Sequence, residues 1–358
     1  MRIVMLSTES RVFEQGRTRE RLSSYGVVAD EVTYVVFASG KRTETILREN
    51  VRAIRVGGSV RIVVLLRGLE LLLRMATARK IDVVSSQDPF FLGLVGVIAK
   101  MIKRVPLQIQ IHTDCFSPQY RSESLRRRFE SALARYVVKR ASCVRVVSER
   151  VRASVARLTR APVSVLPIAH KESVTGKTKH ESIEPFTFLI LTRLSKEKRI
   201  GVIIDALQHV EGARLLIVGD GPLRESLMNH AKKLALHERV IFAGWQTDPE
   251  QSFANSHAFI QVSRYEGYGL SLYEAALHGL PLISTDVGIV GETFAKDTEV
   301  LIVDAEPESV ARAMHTLMQN PDMCRELGER ARQKAENVAM RFDDYLKKYA
   351  EAIRTCVS

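Results

Sequence analysis

Short apolar runs alternate along this chain with longer stretches of helical period, and the alternation is broken once, near the middle. In the first half the runs are "RIVMLS", "VTYVVF", "VRAIRV", "IDVVSS", "LQIQIH" and "SCVRVVS". Between several of them lie "VVLLRGLELLLRMATAR", "PFFLGLVGVIAKMIKR" and "LRRRFESALARYVVKRA". Such repetition implies a parallel sheet covered by helices on both faces. Residues 171–185, "KESVTGKTKHESIEP", are polar, contain Gly176 and Pro185, and read as a linker. The alternation then resumes through "FTFLIL", "ARLLIVG", "RVIFAGW", "HAFIQVS", "LPLISTD" and "EVLIVD". The expected fold is α/β, with two tandem doubly wound Rossmann-like domains over 1–170 and 186–340, and a terminal helix over 341–358.

A length of 358 residues agrees with two cores. No stretch offers the roughly 20 apolar residues that cross a bilayer. The opening "MRIVMLSTES" reads as a first buried strand rather than a secretion signal. Cys115, Cys143, Cys324 and Cys356 lack metal-ligand spacing and are expected to be reduced thiols of a cytoplasmic protein. The net charge of +12 is uneven: residues 1–170 carry 30 Lys+Arg against 14 Asp+Glu, the rest 23 against 27. A basic first half suits an anionic membrane surface or an acidic substrate, or is simply a solvated face. Nucleic acid is not expected, because the basic clusters lack interleaved aromatics.

Open α/β sheets hold ligands beyond the carboxyl ends of their strands. In "EGYGLSLYE", Glu266 to Glu274, the two carboxylates are poorly placed to share one bond: a fully helical spacing would separate them by about 12 Å. Gly267 and Gly269 instead suggest a loop that approaches a ligand, with a helix starting near Leu270 whose N-terminus suits an anion. Glu274, one turn in, can accept hydrogen bonds from hydroxyls; a plain strand–turn–helix junction is the alternative. In "LTRLSKEKRI", Arg193 follows a strand, Ser195 is a candidate N-cap, and Lys198 falls at the third helical position. Two cations at a helix start can bind a diphosphate leaving group without a metal. "VGDGPLRESL" lacks the third glycine of a dinucleotide site and reads as a tight turn, with Pro222 opening a helix. His112 and Asp114, in "IQIHTDC", follow a buried strand without a metal-ligating pattern.

Together these motifs resemble family 4 of the retaining glycosyltransferases, which have the GT-B fold of two Rossmann-like domains facing across a cleft. The resemblance is carried by the E-x7-E element with "AALHGLPLISTDVGIVGE" after it, by "TRLSKEKRI", "GDGPLRESL" and "FAGW", and more weakly by "IHTD". It implies sugar transfer from a nucleotide-diphosphate donor with retained configuration, by front-face attack, the departing phosphate taking the acceptor proton. It implies that Arg193 and Lys198 bind the diphosphate, that Glu274 holds the ribose, and that Glu266 with the backbone of Gly267, Tyr268, Gly269 and Leu270 contacts sugar and distal phosphate. His112 and Glu266 are then the catalytic candidates, and Trp245 borders the base. No cofactor and no essential metal is expected, and a UDP-sugar is favoured over a GDP-sugar. The Gly-Gly loop that many relatives carry after the first strand is replaced by "STESRVFEQGRTRERL", leaving Gly16 as the candidate contact there.

The expected role is hexosyl or N-acetylhexosaminyl transfer to a glycan or lipid-linked acceptor in envelope polysaccharide or glycolipid assembly, peripheral on the inner face of the membrane. A sugar-nucleotide epimerase and a non-catalytic nucleotide-sugar-binding protein are the alternatives.

Overall fold

The computed structural model describes residues 1–78, 81–168 and 184–357; nearly all of the expected linker lies outside them. The chain divides into two compact units, one formed by 1–169 with 340–358 and the other by 170–339.

The first unit contains β1 (Arg2–Ser7), α1 (Arg17–Ser23), β2 (Glu31–Val36), β3 (Thr43–Arg48), β4 (Val51–Arg55), α2 (Arg61–Thr77), β5 (Val83–Ser86), α3 (Phe91–Lys103) and β6 (Leu107–Ile111). It continues with α4 (Pro118–Ser122), α5 (Leu125–Val138), β7 (Cys143–Val146), α6 (Glu149–Ala156) and β8 (Val163–Val165). The sheet order is β3-β4-β2-β1-β5-β6-β7-β8, parallel except that β3 runs antiparallel to β4. Strand alternation directs the two faces of β6 to different helices. Gly93 and Gly96 of α3 press on Ile109 and Leu107, while Gln110 donates to the Tyr349 hydroxyl, which in turn donates to Gln108 on the opposite face.

The second unit contains β9 (Phe186–Leu191), α7 (Ile200–Leu207), β10 (Ala213–Val218), α8 (Arg224–Lys233), β11 (Val240–Gly244), α9 (Glu250–Ala254) and β12 (Ala258–Gln261). After these come α10 (Leu270–Leu277), β13 (Leu282–Ser284), β14 (Val300–Ile302), α11 (Pro307–Gln319) and α12 (Pro321–Val338). Its sheet is wholly parallel, in the order β11-β10-β9-β12-β13-β14. Ile190, Leu215, Ile217 and Ile260 from the strands meet Ile203, Ile204 and Met314 from α7 and α11 in one buried core.

The terminal helix α13 (Phe342–Arg354) packs on the first unit. Its Tyr345, Leu346, Tyr349 and Ile353 join the core of Ile3, Met5 and Tyr34. Arg145, buried on β7, donates to Gln110 and to the Leu166 carbonyl and lies beneath the rings of Tyr345 and Tyr349. The expectation of four reduced thiols is corrected: Cys143 on β7 and Cys356 after α13 form a disulfide, and Cys115 and Cys324 are free. Among the described residues no helix is long and apolar enough to cross a membrane.

Candidate functional site

In the second sheet the chain goes from β9 outward to β10 and β11, then crosses back to place β12 on the other side of β9. The loops after β9 and β12 therefore leave adjacent strands in opposite senses of winding, which is where an open α/β sheet leaves a crevice. Arg193 and Lys198 lie on the first loop, Glu266 to Gly269 on the second.

The two loops are joined. Lys198 Nζ donates to Glu266 Oε1 at 2.5 Å, with both side chains largely buried. Ser263 Oγ donates to the same carboxylate oxygen at 2.8 Å, and Arg264 N donates to the Glu197 carbonyl at 2.8 Å. Two motifs 68 residues apart in sequence thus share one hydrogen-bonded cluster. Arg193 is exposed at its rim.

The local form of the first loop corrects the sequence reading. Ser195 does not cap a helix; its hydroxyl bonds Glu197 Oε1. Lys198 closes a 3-10 turn over Lys196–Lys198, and α7 starts only after Arg199, which adopts the left-handed φ of +48°. That reversal lets Lys198 leave the helix axis and reach Glu266.

The G-x-G turn after β10 acquires a role from its neighbours. A Cβ on Gly219 would sit 1.9 Å from the Thr192 carbonyl oxygen, and one on Gly221 would sit 2.5 Å from that of Leu194. The backbone of 219–223 presses on the Arg193 loop and hydrogen-bonds it, Leu194 N to Asp220 O and Leu223 N to Leu194 O. These glycines form a brace for the loop that carries Arg193. Helix α8 starts at Arg224, two residues beyond Pro222.

On the second loop, Gly269 takes φ +96° and opens α10 at Leu270. The first N–H groups of α10 lack partners within the helix and point out of its start. Tyr268 is buried, and burial raises its phenol pKa. Its carbonyl accepts from Ile289 N at 3.0 Å. Gly288, at φ +60°, is needed there, since a Cβ would come within 2.3 Å of the Tyr268 oxygen. Further along α10, Leu272, Tyr273, Ala275 and Ala276 are buried and Glu274 is half-buried. Tyr273 Oη donates to the Ala335 carbonyl and fixes α10 on α12. Trp245, just after β11, is exposed.

In the first unit, His112 directly follows β6. The residue keeps surface open to solvent, yet desolvation by the surrounding protein, then the charges of Arg145 and Arg21, push the imidazole pKa down to about 3. The imidazole is neutral at ordinary pH, able to accept a hydrogen bond but not to act as a cation. Asp114 is buried and accepts from Phe116 N and Ser154 Oγ, while burial raises its pKa. Gly16 precedes α1 with φ +133°, and a Cβ there would meet nothing within 4 Å. Its glycine character serves the backbone turn rather than a close approach.

Sequence reasoning did not single out Ser263 or Gly288. Ser263 acts on Glu266, three residues on, Gly288 on the Tyr268 carbonyl far back in sequence, and no local pattern marks either.

Residues 176–334 match the family described as glycosyl transferases group 1, and residues 18–169 match the glycosyl transferase 4-like domain. The N-acetyl-alpha-D-glucosaminyl L-malate synthase of Bacillus anthracis is 32% identical over 147 residues, 40% of this chain and 39% of that protein. The lipopolysaccharide 1,6-galactosyltransferase of Salmonella typhimurium is 35% identical over 113 residues, 30% of this chain and 32% of that protein. These matches span less than half the length of the curated relatives. The crystal structure of Anabaena HepE with UDP and glucose superposes with TM-score 0.77 at 20% identity, covering 99% of each chain. Sucrose-phosphate synthase from Thermosynechococcus elongatus gives TM-score 0.81 at 17% identity, covering 99% of this chain and 98% of that one.

Proposed function

The chain belongs to the GT-B glycosyltransferases of group 1, and from that premise we propose that it is a retaining enzyme transferring a hexosyl or N-acetylhexosaminyl group from a nucleotide-diphosphate donor. The observation that carries the reading is the Lys198–Glu266 contact, which unites the two motifs beyond β9 and β12. Arg193 and Lys198 bind the donor diphosphate, and the start of α10 at Gly267 to Leu270 adds N–H groups for the distal phosphate. Glu274 accepts from the ribose hydroxyls, Trp245 borders the base, and Glu266, oriented by Lys198 and Ser263, contacts the sugar. Neutral His112 accepts a hydrogen bond from the sugar or the incoming hydroxyl. As the glycosidic bond breaks, negative charge grows on the diphosphate, and the two cations stabilise it with no metal needed. The freed phosphate oxygen then takes the acceptor proton. Gly16 contributes the turn after β1 that, in this reading, meets the donor.

UDP is the favoured nucleotide, because HepE binds UDP and glucose. The acceptor is a glycan or lipid-linked saccharide of polysaccharide or lipopolysaccharide assembly, in line with the galactosyltransferase relative. The excess of cations in residues 1–170 favours peripheral association with the inner face of an anionic membrane. The reading is tested by thermal shift with UDP, GDP, ADP and CMP on the wild type, Arg193→Ala and Glu274→Ala. Stabilisation by one nucleoside diphosphate, lost in both variants, is the expected result; stabilisation by none would overturn it. Hydrolysis or epimerisation of the donor without any acceptor-dependent product would reassign the reaction.

A further inference from the structure

Helix α5 carries its apolar residues on two faces. Ala134, Val137 and Val138 are buried in the first unit. Leu125, Phe129 and Tyr136 are exposed by 80%, 60% and 39%, and with exposed Ala132 they fall at i, i+4, i+7 and i+11, a single outward stripe. Cations flank it: residues 125–140 hold six Lys or Arg against one acid, Glu130. That one carboxylate is buried and taken up by Arg126, Arg127 and the Tyr120 hydroxyl. The stripe continues beside the end of α3, where Met101 and Ile102 are also exposed and Lys100 Nζ donates to the Arg140 carbonyl at 2.8 Å.

At the edge of the stripe lies a cavity of about 440 Å³ whose lining includes Arg121, Arg128, Arg135 and Ser131. Ser131 is only 1% exposed, and its hydroxyl has no hydrogen-bond partner among the described residues. A buried orphan hydroxyl in a cavity lined by three arginines suits a phosphate group, whose oxygens can accept from such donors. A helix with an apolar ridge, arginines along its sides and no free carboxylate suits the boundary between headgroups and acyl chains. A protein partner would not need a cationic cavity at the rim.

We propose that the outer face of α5 docks on an anionic bilayer, Leu125, Phe129 and Tyr136 entering the acyl boundary while a lipid phosphate occupies the Arg121–Arg128–Arg135 cavity. The inference deepens the proposed membrane association and rests on it.

The test is co-sedimentation of the full chain with vesicles of phosphatidylglycerol and phosphatidylcholine, beside vesicles of phosphatidylcholine alone. The double variants Leu125→Ser/Phe129→Ser and Arg128→Gln/Arg135→Gln are compared with Lys347→Gln/Lys348→Gln. The last pair removes the same charge from exposed positions on α13, across the sheet. The wild type is expected to partition onto the anionic vesicles only, each α5 variant to lose about 20-fold in partitioning, and the α13 variant to stay within about twofold. Unchanged circular dichroism and thermal midpoints separate loss of docking from loss of fold. Partitioning at the wild-type level by either α5 variant overturns the assignment to this face and leaves membrane association standing. A wild type that ignores anionic vesicles overturns both.

Discussion

Lys198 Nζ lies 2.5 Å from Glu266 Oε1, so the cation of one loop and the carboxylate of the other are placed before any ligand arrives. A donor that needs both groups then meets a site whose side-chain entropy has already been lost, which is how preorganisation lowers a barrier. Lys198→Ala and Glu266→Gln are each expected to lower kcat/KM for sugar transfer by about 100-fold or more. Because the two act as a unit, the double variant should be close to the worse single one. Additive losses, read from steady-state rates, would show instead that the residues work separately.

The brace behind Arg193 predicts opposite outcomes for two glycines. Gly219→Ala forces a Cβ to within 1.9 Å of a carbonyl oxygen, at φ +131°. A loss of about 3 kcal/mol in urea unfolding is expected, near the upper end for overpacking, together with loss of nucleotide binding. Gly201, inside α7, would meet nothing within 4 Å. Gly201→Ala should gain about 0.5–1 kcal/mol by lowering the entropy of the unfolded chain and raising helix propensity. Equal effects at the two positions would contradict the packing argument.

His112 has a folded pKa pushed down to about 3 from an ordinary 6.5. Between those values the unfolded chain binds a proton that the folded chain does not, so stability falls as pH drops through this window and is unaffected above it. His112→Asn removes that term. The variant should therefore lose less thermal stability than the wild type between pH of about 7 and about 4.5. In the same window, transfer by the wild type should show no step attributable to this imidazole. A variant whose midpoint follows the wild-type curve would place the His112 pKa near its ordinary value.

Both sheets were legible because parallel strands buried on two faces are mostly apolar, and the order of motifs then fixed which loops follow which strands. The failures have physical reasons too. β3, "TETILR", is an antiparallel edge strand whose residues are mostly exposed, so it lacks the apolar signal. β8 is three half-buried residues at the opposite edge. The helix expected at Lys198 was displaced because Arg199 adopts a left-handed conformation that sequence assigns to glycine or asparagine. The glycines of the Glu266 loop point to a ligand loop, but its tie to Lys198 depends on strand order, which no local pattern reveals.

The disulfide was illegible for a different reason. Cys143 and Cys356 are 213 residues apart, and spacing carries no information about such a pairing. The bond fastens the end of α13 to β7, beside the contacts that Tyr345 and Tyr349 make with Arg145. Closing so long a loop restricts the unfolded chain, and a stabilisation of about 2–4 kcal/mol is the usual result. Cys356→Ser is expected to lower the thermal midpoint of the nucleotide-free protein. Dithiothreitol should reproduce that loss in the wild type and add nothing in the variant, while peptide mapping without reductant recovers the Cys143–Cys356 crosslink. Because α13 buries Tyr345, Leu346, Tyr349 and Ile353 in the core of the first unit, the helix should stay docked in the variant. Its amides should exchange with solvent faster near Arg354 than near Phe342. A variant with the wild-type midpoint and a reductant-insensitive wild type would mean that the aromatic packing alone holds the helix.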